Sequence, residues 1–205
     1  MAQLTLYHAT PSRSSVALWM LEEIGQPYDI KLLDLSKGDQ QKADYLAINP
    51  MGKVPALRHG DVVITEGSAI CAYLADEFPT RKLNIPVGEP RRGVYLKWLF
   101  FGPSCIEPAI TDRAFPRKEP PRASALGHGD YDTVVDVLAN AVAKGPYLMG
   151  EQFTAADVVI GSALRWGMQF KLLPERPEFL PYAARLAQRP ALQRAEAKDK
   201  ELAAA

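Results

Sequence analysis

The sequence contains few of the residues that build disulfide frameworks, zinc clusters or membrane spans. Its 205 residues include two cysteines, Cys71 and Cys105, that are far apart and lack C-x-x-C spacing, and three scattered histidines. This pattern argues against a dithiol redox motif and against a structural zinc cluster. No run of about 18 apolar residues is present, and the first residues lack the basic and apolar regions of a signal peptide. We therefore expect a cytoplasmic protein that binds neither a metal nor a membrane.

The sequence also lacks an excess of charge of either sign. Its 24 Lys and Arg residues balance its 24 Asp and Glu residues, so the formal net charge is zero. A nucleic-acid partner would favour a strongly basic chain, and this balance argues against one. We expect a small-molecule partner instead. The length is sufficient for one large domain or two small ones, each with a buried core.

The first 80 residues alternate between strand patterns and helix patterns. Strands are predicted where apolar and polar residues alternate, and helices where apolar residues recur every three or four positions. The predicted elements are, in order, a strand at 4–7, a helix at 14–25, a strand at 28–32, a short helix within 37–48, a hairpin with strands at 54–58 and 62–64, and a helix at 66–78. This order, β-α-β-α-β-β-α, is that of a thioredoxin-like domain, which we assign to residues 1–80.

The remainder of the chain shows helix patterns and no strand pattern. Residues 81–90 are rich in proline and glycine and form the predicted linker. An all-helical domain is predicted over 91–205, with a break at Gly102-Pro103 and a loop at 116–121. Thr154 and Asp157 have the spacing of a capping box at the start of a buried helix. The predicted helices are 94–101, 105–113, 131–142, 154–170, 180–188 and 191–202.

The stretch 49–57 places a proline between two apolar residues at the entrance to a strand. Pro55 can adopt the cis form, which costs other residues about 3 kcal/mol. In that form the backbone N–H and C=O of Val54 would turn away from the sheet, where a peptide-like ligand could pair with them as an added strand. These residues alone leave open an ordinary junction with a trans proline.

Four groups of residues together have the order and spacing of a known family. They are 6–7 with 12–14, 49–55, 65–70 with 73–74, and 147–150 leading into 154–157. Together they resemble the cytosolic glutathione transferases, most closely the bacterial branches and among these the serine type. The resemblance spans nearly the whole chain. It implies a thioredoxin-like domain, an all-helical domain, glutathione as co-substrate, a homodimer and a role in detoxification.

The resemblance also implies how glutathione is held by its cysteinyl and glycyl parts. In this family the Val-Pro peptide is cis and binds the cysteinyl part through backbone atoms, which assigns that role to Val54 and Pro55. Lys53 is well placed to meet the glycyl carboxylate. The alternative for Lys53 is a solvated loop charge.

The γ-glutamyl end of glutathione carries an ammonium and a carboxylate. Glu66, at the start of the third predicted helix, supplies an acid for the ammonium, and the amides of Gly67 and Ser68 are available to the carboxylate. The family usually has serine or threonine at the position of Gly67, so a hydroxyl contact is in question here. The alternative for Glu66 is a capping carboxylate favoured by the helix dipole.

Glutathione transfer requires the thiol as thiolate. A free thiol has a pKa of about 8.5, and each unit of depression requires about 1.4 kcal/mol of preferential interaction with the anion. A hydroxyl that donates to sulfur supplies roughly 1.5–3 kcal/mol, and a helix N-terminus adds about 0.3–1 kcal/mol. These terms together suffice for a depression of about two units. No protein cysteine is required.

The hydroxyl donor is expected in the loop that follows the first strand. The serine-type branches place it there, and Ser12 fits that description best. Ser14, Thr10 and Tyr7 are the alternatives, although Ser14 also fits a helix N-cap and Tyr7 also fits the core. Arg13 could instead stabilise the thiolate by charge.

The second substrate is expected to bind between the two domains, in a pocket to which the helical domain contributes. For the aromatic candidates, packing in the core is the competing interpretation. Arg113 could also pair with Glu107 or Asp112, and nothing marks Cys105 as a nucleophile. The predicted pocket residues are Phe101, Cys105, Arg113, Trp166 and Phe170.

We expect a transferase that adds the glutathione thiolate to an electrophilic carbon of a small apolar compound. Two alternatives stay open. One is a glutathione-dependent disulfide reductase or peroxidase on the same fold. The other is a noncatalytic binding module, because one fold can serve several functions.

Overall fold

The computed structural model describes residues 3–119 and 121–204. They divide into two units, which we call the sheet unit and the helical unit. The sheet unit comprises residues 3–81 together with 189–204, and the helical unit comprises residues 82–188. The predicted fold class, a thioredoxin-like domain followed by an all-helical domain, is confirmed.

The sheet unit is built on four short strands. They are β1 (Leu4–His8), β2 (Tyr28–Leu32), β3 (Ala56–His59) and β4 (Val62–Thr65). Their order across the sheet is β2-β1-β3-β4, with β1 and β2 parallel and the other pairs antiparallel. The predicted strands and hairpin are therefore confirmed.

The α-helices follow the predicted pattern closely. Residues 37–48 differ from the single short helix expected there, since most of them lie in two 3-10 turns and α2 has only four residues. Within the described residues, no helix is both long enough and apolar enough to cross a bilayer. The helices are α1 (Ser15–Ile24), α2 (Ala43–Leu46), α3 (Gly67–Glu77), α4 (Arg92–Phe101), α5 (Glu107–Ala114), α6 (Tyr131–Val142), α7 (Ala155–Gln169), α8 (Phe179–Ala187) and α9 (Pro190–Ala204).

The core of the sheet unit lies between the sheet and the helices α1 and α3. Leu6 of β1, Leu57 of β3, Leu18 of α1 and Ile70 of α3 are all completely buried. Each such side chain contributes roughly 1.5–3 kcal/mol by leaving water. Helix α1 ends where Gly25 adopts a φ of 64° and donates its N–H to Leu21 O, which is the left-handed stop that glycine favours.

The last helix, α9, packs on α1 and belongs to the sheet unit. Glu22 of α1 is buried, and its carboxylate accepts hydrogen bonds from Arg194 Nε and Lys198 Nζ, each at 2.7 Å. Glu23 is paired with Arg189 Nε at 2.6 Å. The predicted helical domain of 91–205 thus differs from the division by contacts. Helix periodicity predicts α9 itself but not its docking on α1, because the paired residues lie about 170 positions apart in sequence.

The helical unit contains α4 to α8. A π-helical turn, Gly102–Ile106, separates α4 from α5 at the predicted break, where Pro103 has no N–H for the helix ladder. The predicted capping box opens α7. The carboxylate of Asp157 accepts the N–H of Thr154 at 2.9 Å. Residue 120 of the predicted loop at 116–121 lies outside the described residues.

Candidate active site

Three loops meet at one edge of the sheet. Tyr7, next to the end of β1, is paired with Ala56, the first residue of β3, and Ala56 is paired with Thr65, the last residue of β4. The residues after His8, before Ala56 and after Thr65 therefore leave the sheet at the same edge. We call these three segments, 9–14, 53–55 and 66–68, the ligand edge.

The start of α3 lies against the start of α1 and the entrance to β3. A β-carbon added at Gly67 would stand 2.9 Å from Cγ1 of Val16 and 3.9 Å from Cγ of Pro55. A glycine therefore lets α3 approach closely at a position where the resembled family usually has serine or threonine. The structure thus brings the predicted glutathione residues of 53–55 and 66–68 to the same edge of the sheet as the candidate hydroxyl donors of 9–14.

The Val54–Pro55 peptide is cis, as the resemblance predicted. Pro55 is buried, Val54 is half-buried, and the Lys53 side chain is exposed. The carbonyl oxygen of Lys53 accepts the hydroxyl of Tyr45 at 2.6 Å and Nδ2 of Asn49 at 2.7 Å. The backbone that leads into the cis peptide is thus held in position from the protein side.

Glu66 occupies the N-cap position of α3 with a φ of 66°, a region that residues other than glycine rarely adopt. Its side chain is exposed and makes no capping hydrogen bond to the helix. The alternative interpretation of Glu66, as a capping carboxylate, therefore has no hydrogen bond to support it. Strained backbone of this kind costs on the order of 1–3 kcal/mol and is concentrated at functional sites. Gly67 and Ser68 follow in the first turn of α3, whose first amides have no partner within the helix.

Two serines in the loop after β1 have different environments. Ser12 is half-buried, whereas Ser14 is completely buried. Ser12 Oγ lies 2.6 Å from both Ala9 O and Ser14 Oγ. Ser14 is the N-cap residue of α1, yet its side chain makes no capping bond there and instead lies 2.7 Å from Nδ1 of His8. Of the two serines, Ser12 is therefore the one that retains accessible surface at the ligand edge.

The other candidates in this loop are used differently. Tyr7 is buried in a small cluster with Tyr45, Leu33 and Ala56, and its ring centroid is 5.8 Å from that of Tyr45. Thr10 Oγ1 donates to Asp199 O at 3.4 Å. The Arg13 side chain is exposed.

Sequence reasoning did not identify His8 and Asp199 as members of this region. Nε2 of His8 lies 2.8 Å from Oδ1 of Asp199, and Ser15 Oγ donates to Oδ2 of the same carboxylate at 2.6 Å. Burial works to raise the pKa of Asp199, but the hydrogen bonds from His8 and Ser15 outweigh it and lower that pKa. His8 could have been suspected from the sequence, because it directly precedes the serine loop. No pattern in the sequence connects Asp199, which lies in the last helix, with that loop.

The predicted residues of the second-substrate pocket all belong to the helical unit. The rings of Trp166 and Phe170 are 4.5 Å apart between centroids, and Phe101 lies edge-on to Trp98 at 5.3 Å. Phe170 is half-exposed, and Cys105 is only partly buried. These aromatic side chains therefore pack in pairs, and Phe101, Trp166 and Phe170 also retain accessible surface.

The guanidinium of Arg113 lies over the ring of Tyr131, 5.5 Å from its centroid. Pairing with Asp112 was one alternative for Arg113, and that carboxylate is instead bonded to Arg117 at 3.0 Å and to His128 at 3.1 Å. Across residues 3–119 and 121–204, no cluster of three or more His, Cys, Asp or Glu side chains could hold a metal ion.

The sheet, its helices and the sequence together define the class of protein. Residues 2–76 match the family model described as glutathione S-transferase, N-terminal domain, and residues 107–193 match that of the C-terminal domain. The chain belongs to the glutathione S-transferase family.

This chain aligns with individual relatives over most of their length. The chain is 32% identical to glutathione S-transferase GstA of Escherichia coli O157:H7 over 176 residues, which cover 84% of this chain and 87% of that protein. A solved glutathione transferase from Methylococcus capsulatus is 32% identical, with a TM-score of 0.78 and coverage of 96% of this chain and 98% of that one. Another, from Phanerochaete chrysosporium in complex with oxidised glutathione, is 25% identical, with a TM-score of 0.81 and coverage of 98% and 97%.

Proposed function

We propose that this protein conjugates the thiolate of glutathione to small apolar electrophiles. The observation that carries the proposal is the ligand edge, where the half-buried residue Ser12 shares one edge of the sheet with the cis Val54–Pro55 peptide and the strained start of α3. Family membership and the oxidised glutathione bound by the Phanerochaete chrysosporium relative support glutathione as the ligand.

Each part of glutathione has a complementary group at the ligand edge. The backbone of Val54 pairs with the cysteinyl part, as an added strand would. The exposed ammonium of Lys53 meets the glycyl carboxylate, and Glu66 meets the γ-glutamyl ammonium. The amides of Gly67 and Ser68, at the positive end of the α3 dipole, receive the γ-glutamyl carboxylate.

Ser12 activates the sulfur by donating a hydrogen bond to the thiolate. A charge-assisted bond of this kind contributes roughly 1.5–3 kcal/mol, which corresponds to about one to two units of the thiol pKa. Ser14 cannot take this role without movement, because it is fully buried and bonded to His8. The nearby start of α1 adds a smaller favourable term for an anion.

The electrophile binds to the helical unit, where we assign the pocket to accessible surface of the predicted residues. Phe170 and Cys105 expose part of their side chains, and an apolar compound gains free energy by covering such surface. We further infer a homodimer in the cytoplasm. The residues of this pocket are Phe101, Cys105, Arg113, Trp166 and Phe170.

The test is a comparison of Ser12→Ala with the wild type in glutathione binding, in the pKa of the bound thiol and in turnover with an aryl halide. We expect binding to weaken little, the thiol pKa to rise by about one to two units and turnover at neutral pH to fall about 10- to 100-fold. Ser36→Ala, an exposed serine outside the ligand edge, is the matched control. An unchanged thiol pKa and unchanged turnover in Ser12→Ala would exclude Ser12 as the donor.

The same assays separate the alternative activities. Turnover of a mixed disulfide without turnover of an aryl halide would assign a reductase. Glutathione binding without either activity would indicate a binding module. Failure to bind glutathione at millimolar concentration would reject the proposed function altogether.

A further inference from the structure

A row of hydrogen-bonded groups leads from the ligand edge into the sheet unit. Ser12 Oγ lies 2.6 Å from Ser14 Oγ, Ser14 Oγ lies 2.7 Å from His8 Nδ1, and His8 Nε2 lies 2.8 Å from Asp199 Oδ1. His8 and Ser14 are completely buried, whereas Ser12 and Asp199 at the two ends are partly exposed. Every step is short enough for a proton to move along a hydrogen bond.

The direction of these bonds follows from the ionised carboxylate at the inner end. Asp199 can only accept, so the Nε2 of His8 carries a hydrogen and, in the neutral ring, Nδ1 is an acceptor. Ser14 then donates its hydroxyl hydrogen to Nδ1 and receives the N–H of Ala9 at 3.1 Å. The hydrogen of Ser12 has two acceptors at 2.6 Å, Ser14 Oγ and Ala9 O, and the transfer uses the orientation toward Ser14 Oγ. Ser12 Oγ also accepts the N–H of Ser14 at 3.1 Å, so it has one remaining lone pair, and no hydrogen, for a ligand.

We propose that Ser12, Ser14, His8 and Asp199 form a proton relay that removes the thiol proton of bound glutathione and stores it on His8. This inference rests on the proposed function, in which the thiol meets Ser12. The thiol S–H bond breaks as its proton joins Ser12 Oγ, the former hydroxyl hydrogen of Ser12 passes to Ser14 Oγ, and that of Ser14 passes to Nδ1 of His8. The products are a thiolate and an imidazolium. No proton is gained from or lost to solvent.

The transfer reverses the direction of the hydrogen bonds that link Ser12, Ser14 and His8. The protonated ring donates from Nδ1 to Ser14, Ser14 donates to Ser12, and Ser12 donates to the thiolate. One hydroxyl thus accepts the proton and then stabilises the anion that is left. Ser14, His8 and Asp199 are positioning residues that act through Ser12, while Ser12 alone touches the substrate.

The carboxylate of Asp199 stabilises the positive charge of the buried imidazolium. A charged group that is removed from water requires a close partner of opposite sign, and a charge-assisted bond is stronger than a neutral one. The charged group that faces His8 from α9 is Asp199. The N-cap residue of α1, Ser14, contacts Nδ1 of the ring, and β2 pairs Leu32 with His8 in the sheet. This is the division of roles seen in Ser-His-Asp triads, with a second hydroxyl placed between the ring and the substrate.

The direct test uses the wild-type protein and asks where the thiol proton goes. At neutral pH, glutathione is added while the ultraviolet absorbance of the thiolate, the release of protons to the buffer and the 15N shifts of the His8 ring are followed. We expect the thiolate to form with nearly no proton release and the His8 signals to move to imidazolium values. Thiolate formation with release of one proton per site and a neutral His8 would overturn the relay but leave the proposed function intact.

Variants of the inner groups provide an independent test. Asp199→Asn keeps the shape and removes the charge, and Ser14→Ala interrupts the row. We expect each to raise the pKa of the bound thiol by about one unit and to lower kcat at neutral pH about 10-fold, with KM for glutathione within about two-fold and kcat recovering at higher pH. Arg194→Gln is the matched control, because it loosens the α1–α9 contact without removing a member of the row.

The outcomes of the variant test are separable. A wild-type thiol pKa in folded Asp199→Asn and Ser14→Ala would overturn the relay. Loss of activity to the same extent in Arg194→Gln would attribute the effect to helix docking and would also overturn it. If Ser12→Ala leaves the thiol pKa unchanged, the proposed function fails at Ser12, whatever the inner variants do.

Discussion

Gly67 and Val16 are in such close contact that a β-carbon at position 67 would stand 2.9 Å from Cγ1 of Val16. The branched valine side chain has little freedom to move away. We therefore expect Gly67→Ala to lower the free energy of unfolding by about 1–3 kcal/mol and to weaken glutathione binding by shifting the start of α3. Chemical denaturation and calorimetry measure the two effects.

Val16→Ala supplies the compensating change for this contact. The double variant Gly67→Ala with Val16→Ala should regain most of the affinity for glutathione, because the clash is gone. If the single variant Gly67→Ala binds and unfolds as the wild type does, the close approach of α3 to α1 does not exist in solution.

Glu66 combines an unfavourable backbone conformation with an exposed carboxylate. Glu66→Gly should relieve the strain and raise the free energy of unfolding by up to about 1 kcal/mol. The same variant should bind glutathione at least about 10-fold more weakly, because a hydrogen bond to a charged group is lost. Opposite changes in stability and affinity are the expected result.

Glu66→Gln is the control for Glu66→Gly. It keeps the strained backbone and a hydrogen-bond acceptor while it removes the charge, so stability should stay within about 0.5 kcal/mol of the wild type and only affinity should fall. Wild-type affinity in both variants would remove Glu66 from the binding site.

Acid should weaken the contact between α1 and α9. Burial works to raise the pKa of Glu22, but hydrogen bonds from Lys198, Tyr28 and Arg194 outweigh it, so this pKa lies below its usual 4.5. The pKa of Asp199 likewise lies below its usual 3.8. A carboxyl group whose folded pKa is depressed stabilises the fold above its unfolded pKa and loses that contribution as the pH falls through the folded value.

We therefore expect the free energy of unfolding of the sheet unit to decline as the pH falls below 4.5, the usual pKa of Glu22. Denaturant titrations between neutral and acidic pH measure this decline, followed by the fluorescence of Trp19 in a protein whose other two tryptophans, Trp98 and Trp166, are replaced by phenylalanine. In Glu22→Gln the stability at neutral pH should be lower and the acid-dependent part smaller. An identical pH profile in Glu22→Gln would show that this carboxylate is not paired.

Asp157 should be the most sensitive polar residue of the helical unit. Its buried carboxylate accepts Leu148 N–H at 2.8 Å, Thr154 N–H at 2.9 Å and the hydroxyl of Tyr182 at 2.9 Å. Asp157→Ala leaves these donors without a partner in the interior, and we expect a loss of about 3–5 kcal/mol in the free energy of unfolding. The measurement is chemical denaturation followed by circular dichroism.

Tyr182→Phe removes one of these donors and leaves the carboxylate two backbone partners. It should cost only about 0.5–1.5 kcal/mol. Equal losses in Asp157→Ala and Tyr182→Phe would show that the network depends on the tyrosine instead of the carboxylate.

The two cysteines should differ in reactivity and be dispensable for conjugation. Cys71 is completely buried, and burial raises the pKa of its thiol well above the usual value, so it should resist thiol reagents until the protein unfolds. Cys105 is partly exposed and should be the thiol that reacts in the folded protein. Mass spectrometry after labelling identifies the site.

Removal of both thiols tests their role in the reaction. Cys71→Ala with Cys105→Ser should retain conjugation of glutathione to an aryl halide within a few-fold, since a hydroxyl can activate the sulfur. Loss of conjugation in a folded double variant, with full activity in the Ser12→Ala variant, would replace the serine hypothesis with a protein thiol.

Local patterns determined most of the elements of this chain. The alternation in 4–7 and 28–32, the hairpin around Gly60 and the capping pair Thr154 and Asp157 depend on neighbours within a few residues, and such patterns can be read from sequence. Ordered motifs added the family and the cis form of Pro55. The residues proposed to hold glutathione were all named in this way, and their roles stay predictions.

Contacts between residues far apart in sequence are visible only in the tertiary structure. The side chain of Val16 explains why position 67 needs a glycine. His8, at the inner end of the serine loop, is hydrogen-bonded to Asp199, which lies 191 residues away in sequence. The docking of α9 on α1 likewise joins charges from the two ends of the chain. Periodicity reports which face of a helix is apolar, but it carries no information about which distant side chain will meet a buried polar group. That pairing exists only once the chain has folded.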